Sequence, residues 1–163
     1  MSTKPLFVNG WEVAGIRSAE KFFIALPEIL PLPVNLCFEG TSISPDALGL
    51  FARNAVTPGL QIPTGTIWPK PSVFHVRATE QFLHQLATLA GKHADPEVCD
   101  HFHAYNNSRA LMQWYDAFSG DPLLIEDSIP EAKVQGFCRK LGVKYVRWRA
   151  AKYVADNLQK PKN

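Results

Sequence analysis

Apolar residues recur along the chain with two different periods, one helical and one extended. Residues 19–26 and 80–90 repeat apolar positions at helical spacing, and each run follows a hydroxyl residue suited to a helix N-cap, Ser18 or Thr79. Residues 34–38, 73–77 and 123–127 are short apolar or alternating runs, which predicts strands. Further helices are predicted to begin after Ser44 and within the capping box Ser128–Glu131.

A β-hairpin is predicted at about residues 98–118. Asn106, Asn107 and Ser108 tolerate the backbone conformations of a tight turn, so the two flanking runs should fold back on each other. With a two-residue turn and regular pairing, one face of the hairpin carries six residues. These are Cys99, His101, His103, Met112, Trp114 and Asp116. We expect one face of the hairpin to be covered and the other to line a groove.

These elements together predict an α+β fold. We expect a single domain over residues 1–158, with a mixed or antiparallel sheet, the central hairpin and four to five helices, followed by a flexible basic tail at 159–163. The last helix is predicted from Val143 to about Leu158, because Val143, Val146 and Ala150 recur at helical spacing.

Composition narrows the class of protein. The 163 residues are 46% hydrophobic and 20% charged, which is typical of a globular domain. The apolar run of residues 22–26 is far shorter than the roughly 20 residues that a membrane span needs, and the N-terminus has no secretory pattern. The three cysteines form no CxxC pair and are an odd number, which favours a reducing cytoplasm.

Charge is distributed unevenly along the chain. From Arg139 onward there are eight Lys or Arg residues against one acid, whereas the preceding part is net acidic. On the predicted last helix, Arg147, Trp148 and Lys152 would offer basic groups beside an aromatic ring, which is one way to hold nucleic acid. A solvated face and an acidic protein partner are the other interpretations. Nucleic acid ranks lowest because the acidic body would repel a polyanion.

The hairpin also carries a candidate metal site. Cys99, His101 and His103 are spaced two apart and have side chains that bind zinc, with Asp116 or His75 as a further ligand. The alternative is that these histidines are partly buried and hydrogen-bonded, or exposed beside Trp114. It is preferred because short motifs outside their structural context often mislead. We therefore expect no cofactor. The alternative is a zinc-dependent enzyme or a metal-stabilised module centred on Cys99, His101 and His103.

No catalytic motif is evident. Ser42 lies between a predicted strand and a helix, but the G-x-S-x-G pattern of a nucleophile elbow fails because position 44 is Ser. The neighbouring acids Glu126 and Asp127 would point to opposite sides of a strand, so they do not form an acid/base pair.

The tryptophans are the strongest indication of function. Trp68 lies between a glycine-rich loop and two prolines, and is predicted on a sheet edge or loop. Tryptophan and arginine are enriched at binding hot spots. The leading hypothesis is a small cytoplasmic, non-catalytic protein that binds another protein, as an inhibitor or immunity-type partner does. The predicted contact residues are His101, His103, Met112, Trp114 and Asp116 on the hairpin, with Trp68, Arg147, Trp148 and Lys152 elsewhere.

Overall fold

One face of a seven-stranded antiparallel sheet carries the hydrophobic core in the computed structural model, which describes residues 5–150. The strand order is β3-β2-β4-β5-β6-β1-β7 and the sheet is open. In chain order, the elements are β1 (Asn9–Ala14), α1 (Ala19–Ala25), β2 (Val34–Gly40), α2 (Pro45–Arg53), β3 (Ser72–Ala78), α3 (Glu80–Ala90), β4 (His101–Asn106), β5 (Arg109–Trp114), β6 (Leu123–Glu126), α4 (Glu131–Leu141) and β7 (Lys144–Arg149). The predicted α+β class with a central hairpin is confirmed.

Aromatic packing joins the helices to the sheet. Phe22 of α1 lies with its ring centroid 5.0 Å from Trp114 and 5.2 Å from Phe102. Phe51 of α2 stacks on Phe38 of β2 at 4.3 Å. These side chains are almost completely buried, and burying large aromatic side chains supplies much of the stabilisation of a core. The helices therefore cover one face and leave the polar side chains of the strands on the other.

Helix boundaries follow the predicted signals in part. The Ser18 hydroxyl accepts a hydrogen bond from the Lys21 amide, and the Thr79 hydroxyl accepts one from the Phe82 amide, as N-caps do. The capping box at 128–131 is not formed, because Ser128 donates its amide and hydroxyl to Glu126 instead. The helix α2 does begin at Pro45, but the side chain of its N-cap residue makes no capping bond.

The predicted last helix is wrong over its described part. Residues 144–149 form strand β7, which pairs antiparallel with β1 from Lys144 opposite Ala14 to Arg149 opposite Asn9. The apolar spacing at 143, 146 and 150 fits a helix by coincidence, whereas Tyr145, Val146 and Trp148 are residue types enriched in strands. Pairing with β1, which the sequence patterns did not predict, decides between the two. The remainder of the predicted helix and the tail at 159–163 lie outside the described residues.

A β-bulge changes which residues of the two hairpin strands lie on the same face of the sheet. The turn spans residues 107–108, one of the two positions predicted for it (106–107 or 107–108), with Asn107 at φ 53°, a conformation that Asn tolerates. Tyr105 pairs with Ala110, but Ala104 pairs with Met112, so one extra residue is inserted in β5. Beyond the bulge every side chain of β5 is on the opposite face from the one that regular pairing predicts.

Candidate functional site

The bulge separates the six residues that were predicted to share a face. Met112 and Trp114 point into the core, where they are 0% and 1% exposed, so the prediction that they line a binding groove is wrong. Gln113 takes the place opposite His103 on the polar face. Asp116 follows the strand and has an exposed side chain, with one carboxylate oxygen 3.9 Å from Nδ1 of His101.

Four polar side chains are buried on the face of the sheet that lacks helices. Glu39, His101, His103 and Gln113 are between 2% and 7% exposed. Buried polar groups are costly unless they are hydrogen-bonded, so their partners determine what this cluster does.

The segment 54–71 covers this cluster and is held by the Glu39 carboxylate. Glu39 accepts hydrogen bonds from the backbone amides of Gly65, at 3.0 and 3.1 Å, and Thr66, at 3.1 Å. Gly65 is required at this contact, because a Cβ there would lie 2.6 Å from Cδ1 of Tyr115 and 2.7 Å from Nε2 of His101. The Tyr115 hydroxyl fixes the same segment by donating to the Pro63 carbonyl at 2.8 Å.

His101 lies between the Glu39 carboxylate and the backbone at the end of the hairpin, and it contacts both. Its Nδ1 accepts a hydrogen bond from the Asp116 amide at 2.8 Å, and an amide can only donate. The ring proton is therefore on Nε2, which lies 3.1 Å from a Glu39 carboxylate oxygen and 2.9 Å from the Thr66 hydroxyl. A general base would need a free accepting nitrogen, whereas Nδ1 of His101 is already bonded to the Asp116 amide and the loop covers the pair.

His103 is buried with one nitrogen unsatisfied. Its Nε2 has no hydrogen-bond partner among residues 5–150, and its ring lies edge-on to Tyr115 at 4.7 Å between centroids. Burial lowers the pKa of His103 to about 3, and the nearby His101 and His75 add to that effect. His103 therefore stays neutral at physiological pH.

A second polar group lies beside the cluster. His75 Nδ1 and the Tyr105 hydroxyl are 2.7 Å apart, and Cys37 Sγ lies 3.7 Å from His75 Nε2. Burial, with a smaller contribution from the charge of Glu39, raises the pKa of the Cys37 thiol to about 12. Since the thiolate is the nucleophile, Cys37 next to His75 is not an activated cysteine.

The predicted metal ligands are not brought together. Cys99 belongs to the hydrophobic core, whereas His101 and His103 are on the opposite face. Within residues 5–150 no group of three His, Cys, Asp or Glu side chains is placed to hold a metal ion. Because a zinc site needs at least three protein ligands, the hairpin gives the zinc hypothesis no ligand set in this part of the chain.

Trp68 lies at the exposed tip of the same segment 54–71. It is 85% exposed, and its neighbour Ile67 is 74% exposed. Val73, at the start of β3, is 43% exposed. The prediction that Trp68 lies on a loop or edge is confirmed. We call these three residues the apolar tip.

The basic residues of the C-terminal region are partly engaged within the protein. Arg147 forms an ion pair with Asp127, and its guanidinium carbon lies 4.5 Å from the centroid of the Trp11 ring. Trp148 packs edge-on against Phe7 at 5.8 Å. Lys152 lies outside the described residues. Neither Arg147 nor Trp148 therefore forms the helical basic face that the sequence predicted.

The residues that hold the apolar tip in place were not predicted from the sequence. Glu39 follows an apolar run, in the letters CFEG, and a charged residue at the end of a buried strand is a signal that could have indicated it. Nothing local in the sequence marks Gly65 or Thr66 as its partners, since the two amides are separated from it by more than 25 residues.

Among the described residues, every helix is too short or too polar to cross a membrane. Comparison with protein-family models, with curated proteins and with solved structures finds no match to this chain.

Proposed function

We propose that this protein binds another protein through the apolar tip, Ile67, Trp68 and Val73, without catalysing a reaction. The observation that carries the proposal is the exposure of Trp68, 85%, beside Ile67, which is 74% exposed. Tryptophan is among the residue types most enriched at binding hot spots. Large apolar side chains grouped on a surface mark interaction sites more often than scattered ones do.

The anchoring of the loop supports this function. The Glu39 carboxylate and the Tyr115 hydroxyl bind the backbone just before the tip, at Pro63, Gly65 and Thr66. Two further prolines, Pro69 and Pro71, follow Trp68 and restrict the chain there. A binding loop that is already ordered loses less conformational entropy on association, so more of its contact energy appears as affinity.

The buried position of the polar cluster argues for binding rather than chemistry. A substrate would have to displace the segment 54–71 to reach His101 or Glu39, and both side chains are engaged in holding that segment. The role of His101 and Glu39 in holding this loop accounts for the way they are arranged. A stoichiometric inhibitor or immunity-type partner, which blocks another protein by occupying its surface, is the role we propose for such a loop.

Site-specific photocrosslinking in the source cell tests the proposal. A crosslinking amino acid at position 67 is compared with one at position 24, since Ile24 is also exposed, at 46%, but lies on helix α1. We expect a discrete crosslinked product from position 67 alone, and its loss when Trp68→Ala is added. Equal products from both positions, or none from position 67, would contradict the proposal.

A direct measurement with the captured partner completes the test. Trp68→Ala should weaken binding by about 2 kcal/mol or more, roughly 30-fold, as hot-spot tryptophans do. Its melting temperature should match that of the parent protein, because changes at exposed side chains shift stability by only about 0.5 kcal/mol. Ile24→Ala is the matched control and should leave the affinity unchanged.

A further inference from the structure

The two edges of the sheet differ in how they are protected. At the β3 edge, residues 54–56 add a short outer pairing: Ala55 bridges Val76, the Val56 amide donates to the His75 carbonyl, and the Arg77 amide donates to the Asn54 carbonyl. At the other edge, β7 pairs only with β1 within residues 5–150. An unpaired strand edge is a template for pairing with another chain.

The register of β7 shows which backbone groups face outward. The Ala150 amide donates to the Val8 carbonyl at 2.7 Å, in line with the register of β7 on β1. Because hydrogen-bonded positions alternate along an antiparallel strand, the even-numbered residues of β7 face β1. The amides and carbonyls of Tyr145, Arg147 and Arg149 therefore point away from the sheet. β7 contains neither proline nor glycine, so this edge is regular over its six residues.

The charge of β7 selects the kind of segment that pairs there. Three of its six residues are basic, Lys144, Arg147 and Arg149, and the side chains of all three are exposed. In an added antiparallel strand the directly opposite side chains lie about 5 Å apart, where opposite charges stabilise and like charges destabilise. Antiparallel pairing of two copies centred on Arg147 would set this residue opposite itself. The residues that follow β7 are also net basic, with three Lys against Asp156.

We propose that the outer edge of β7 is a strand-addition site for an extended acidic segment of a partner protein. Main-chain hydrogen bonds to Tyr145, Arg147 and Arg149 supply the pairing. The side chains of Lys144 and Arg149 supply the preference for acidic residues, since Arg147 is already paired with Asp127. The exposed Val146, 60% exposed, adds an apolar contact on one side of the strand. This site is at the opposite edge of the sheet from β3 and the apolar tip, so it does not depend on the function proposed above.

The test uses the full chain with a short synthetic peptide that alternates Glu and Val, and a control peptide that alternates Lys and Val. We expect the acidic peptide to bind with at least about tenfold higher affinity, measured by fluorescence anisotropy at low salt, and to lose affinity as salt rises. Amide hydrogen exchange should slow at Tyr145, Arg147 and Arg149 when the acidic peptide binds. Equal affinity for both peptides, or binding without this alternating protection, would overturn the proposal.

Two variants separate charge from backbone pairing. Arg149→Ala removes one charge and keeps the amide, whereas Arg149→Pro removes the charge and the outward amide while leaving the pairing with β1 intact. Arg149→Pro should therefore bind the acidic peptide several-fold more weakly than Arg149→Ala. If the proline variant fails to fold, the double change Lys144→Glu and Arg149→Glu serves instead and should reverse the preference toward the Lys–Val peptide. An unchanged preference would refute the charge argument.

The other possible occupants of the edge give distinct results. A self-associating protein that becomes monomeric on Arg149→Pro would show that the edge binds a second copy. Slow exchange at the outward amides in the free monomer would show that the chain's own residues cover the edge. Either result would overturn the proposal of an acidic partner.

Discussion

Replacing Glu39 with Gln should loosen the loop that carries the apolar tip. The carboxylate accepts from the amides of Gly65 and Thr66 and lies 3.1 Å from Nε2 of His101. Glutamine has nearly the same shape but only one acceptor oxygen, so its amide nitrogen must face at least one of these donors. The Glu39 and His101 side chains are buried and Gly65 and Thr66 are half-buried, so water cannot fully replace the weakened bonds.

The magnitude follows from the number of bonds. A hydrogen bond to a charged group contributes about 1.5–3 kcal/mol, and a buried donor left without a partner costs about 1–3 kcal/mol. All three donors lie within reach of Oε2, so the glutamine oxygen can keep these contacts without the charge, while its amide nitrogen faces the Gly65 amide. Weakening three bonds by about 1 kcal/mol each should lower the free energy of unfolding by about 3 kcal/mol. For a domain of this size, 1 kcal/mol corresponds to about 2–4 °C, so the melting temperature should fall by about 6–12 °C.

Chemical denaturation and amide hydrogen exchange measure the two parts of this prediction. Exchange at Gly65 and Thr66 should accelerate more than exchange in the core strands, since the weakened hydrogen bonds are those of these amides. Glu12→Gln is the matched control, because Glu12 is half-buried on the same side of the sheet in β1, and should cost less than about 1 kcal/mol. If Glu39→Gln were as stable as Glu12→Gln, with unchanged exchange at Gly65 and Thr66, the reasoning would be refuted.

Three further predictions follow from the packing of the sheet. The free energy of unfolding should decrease as the pH is lowered from about 6.5 to about 3, because in this range the unfolded chain binds a proton at His103 whereas the folded chain, in which the pKa of His103 is about 3, does not. Urea titrations at several pH values should show a weaker pH dependence for His103→Leu. An unchanged pH dependence in this variant would contradict the prediction. Gly10→Ala should lower the free energy of unfolding by about 3 kcal/mol or more, since a Cβ there would lie 1.8 Å from the Ile125 carbonyl oxygen. Gly136→Ala should raise it by up to about 1 kcal/mol, because position 136 is in α4 and a Cβ there meets open space. Thermal melts that rank the two variants the other way would contradict the packing argument. The native protein should react slowly with a thiol reagent, because burial raises the pKa of all three thiols, those of Cys37, Cys99 and Cys138. The denatured protein should react fully. Rapid labelling of the native protein would disprove this prediction.

The sequence by itself determined most of the local structure. Helices α1 and α3 begin after the hydroxyl residues that cap them, Ser18 and Thr79, because a cap acts on amides only two or three residues away. The turn at Asn107 is equally local, since the residue itself tolerates the positive φ that the turn needs. The position of Trp68 in a loop was also predictable, because the adjacent prolines exclude regular pairing.

The tertiary structure alone decided which residues meet. The bulge in the hairpin, where the register shifts between Ala104 and Tyr105, placed Trp114 in the core. Side chains alternate between the two faces of a strand, so a shift of one residue moves each side chain to the other face. Residues 144–149 form a strand because their backbone groups pair with those of β1. The spacing of apolar residues within this segment carries no information about that distant partner. Glu39 became the anchor of the loop only when the fold brought Gly65 to it, since contacts between residues distant in sequence depend on the path of the whole chain.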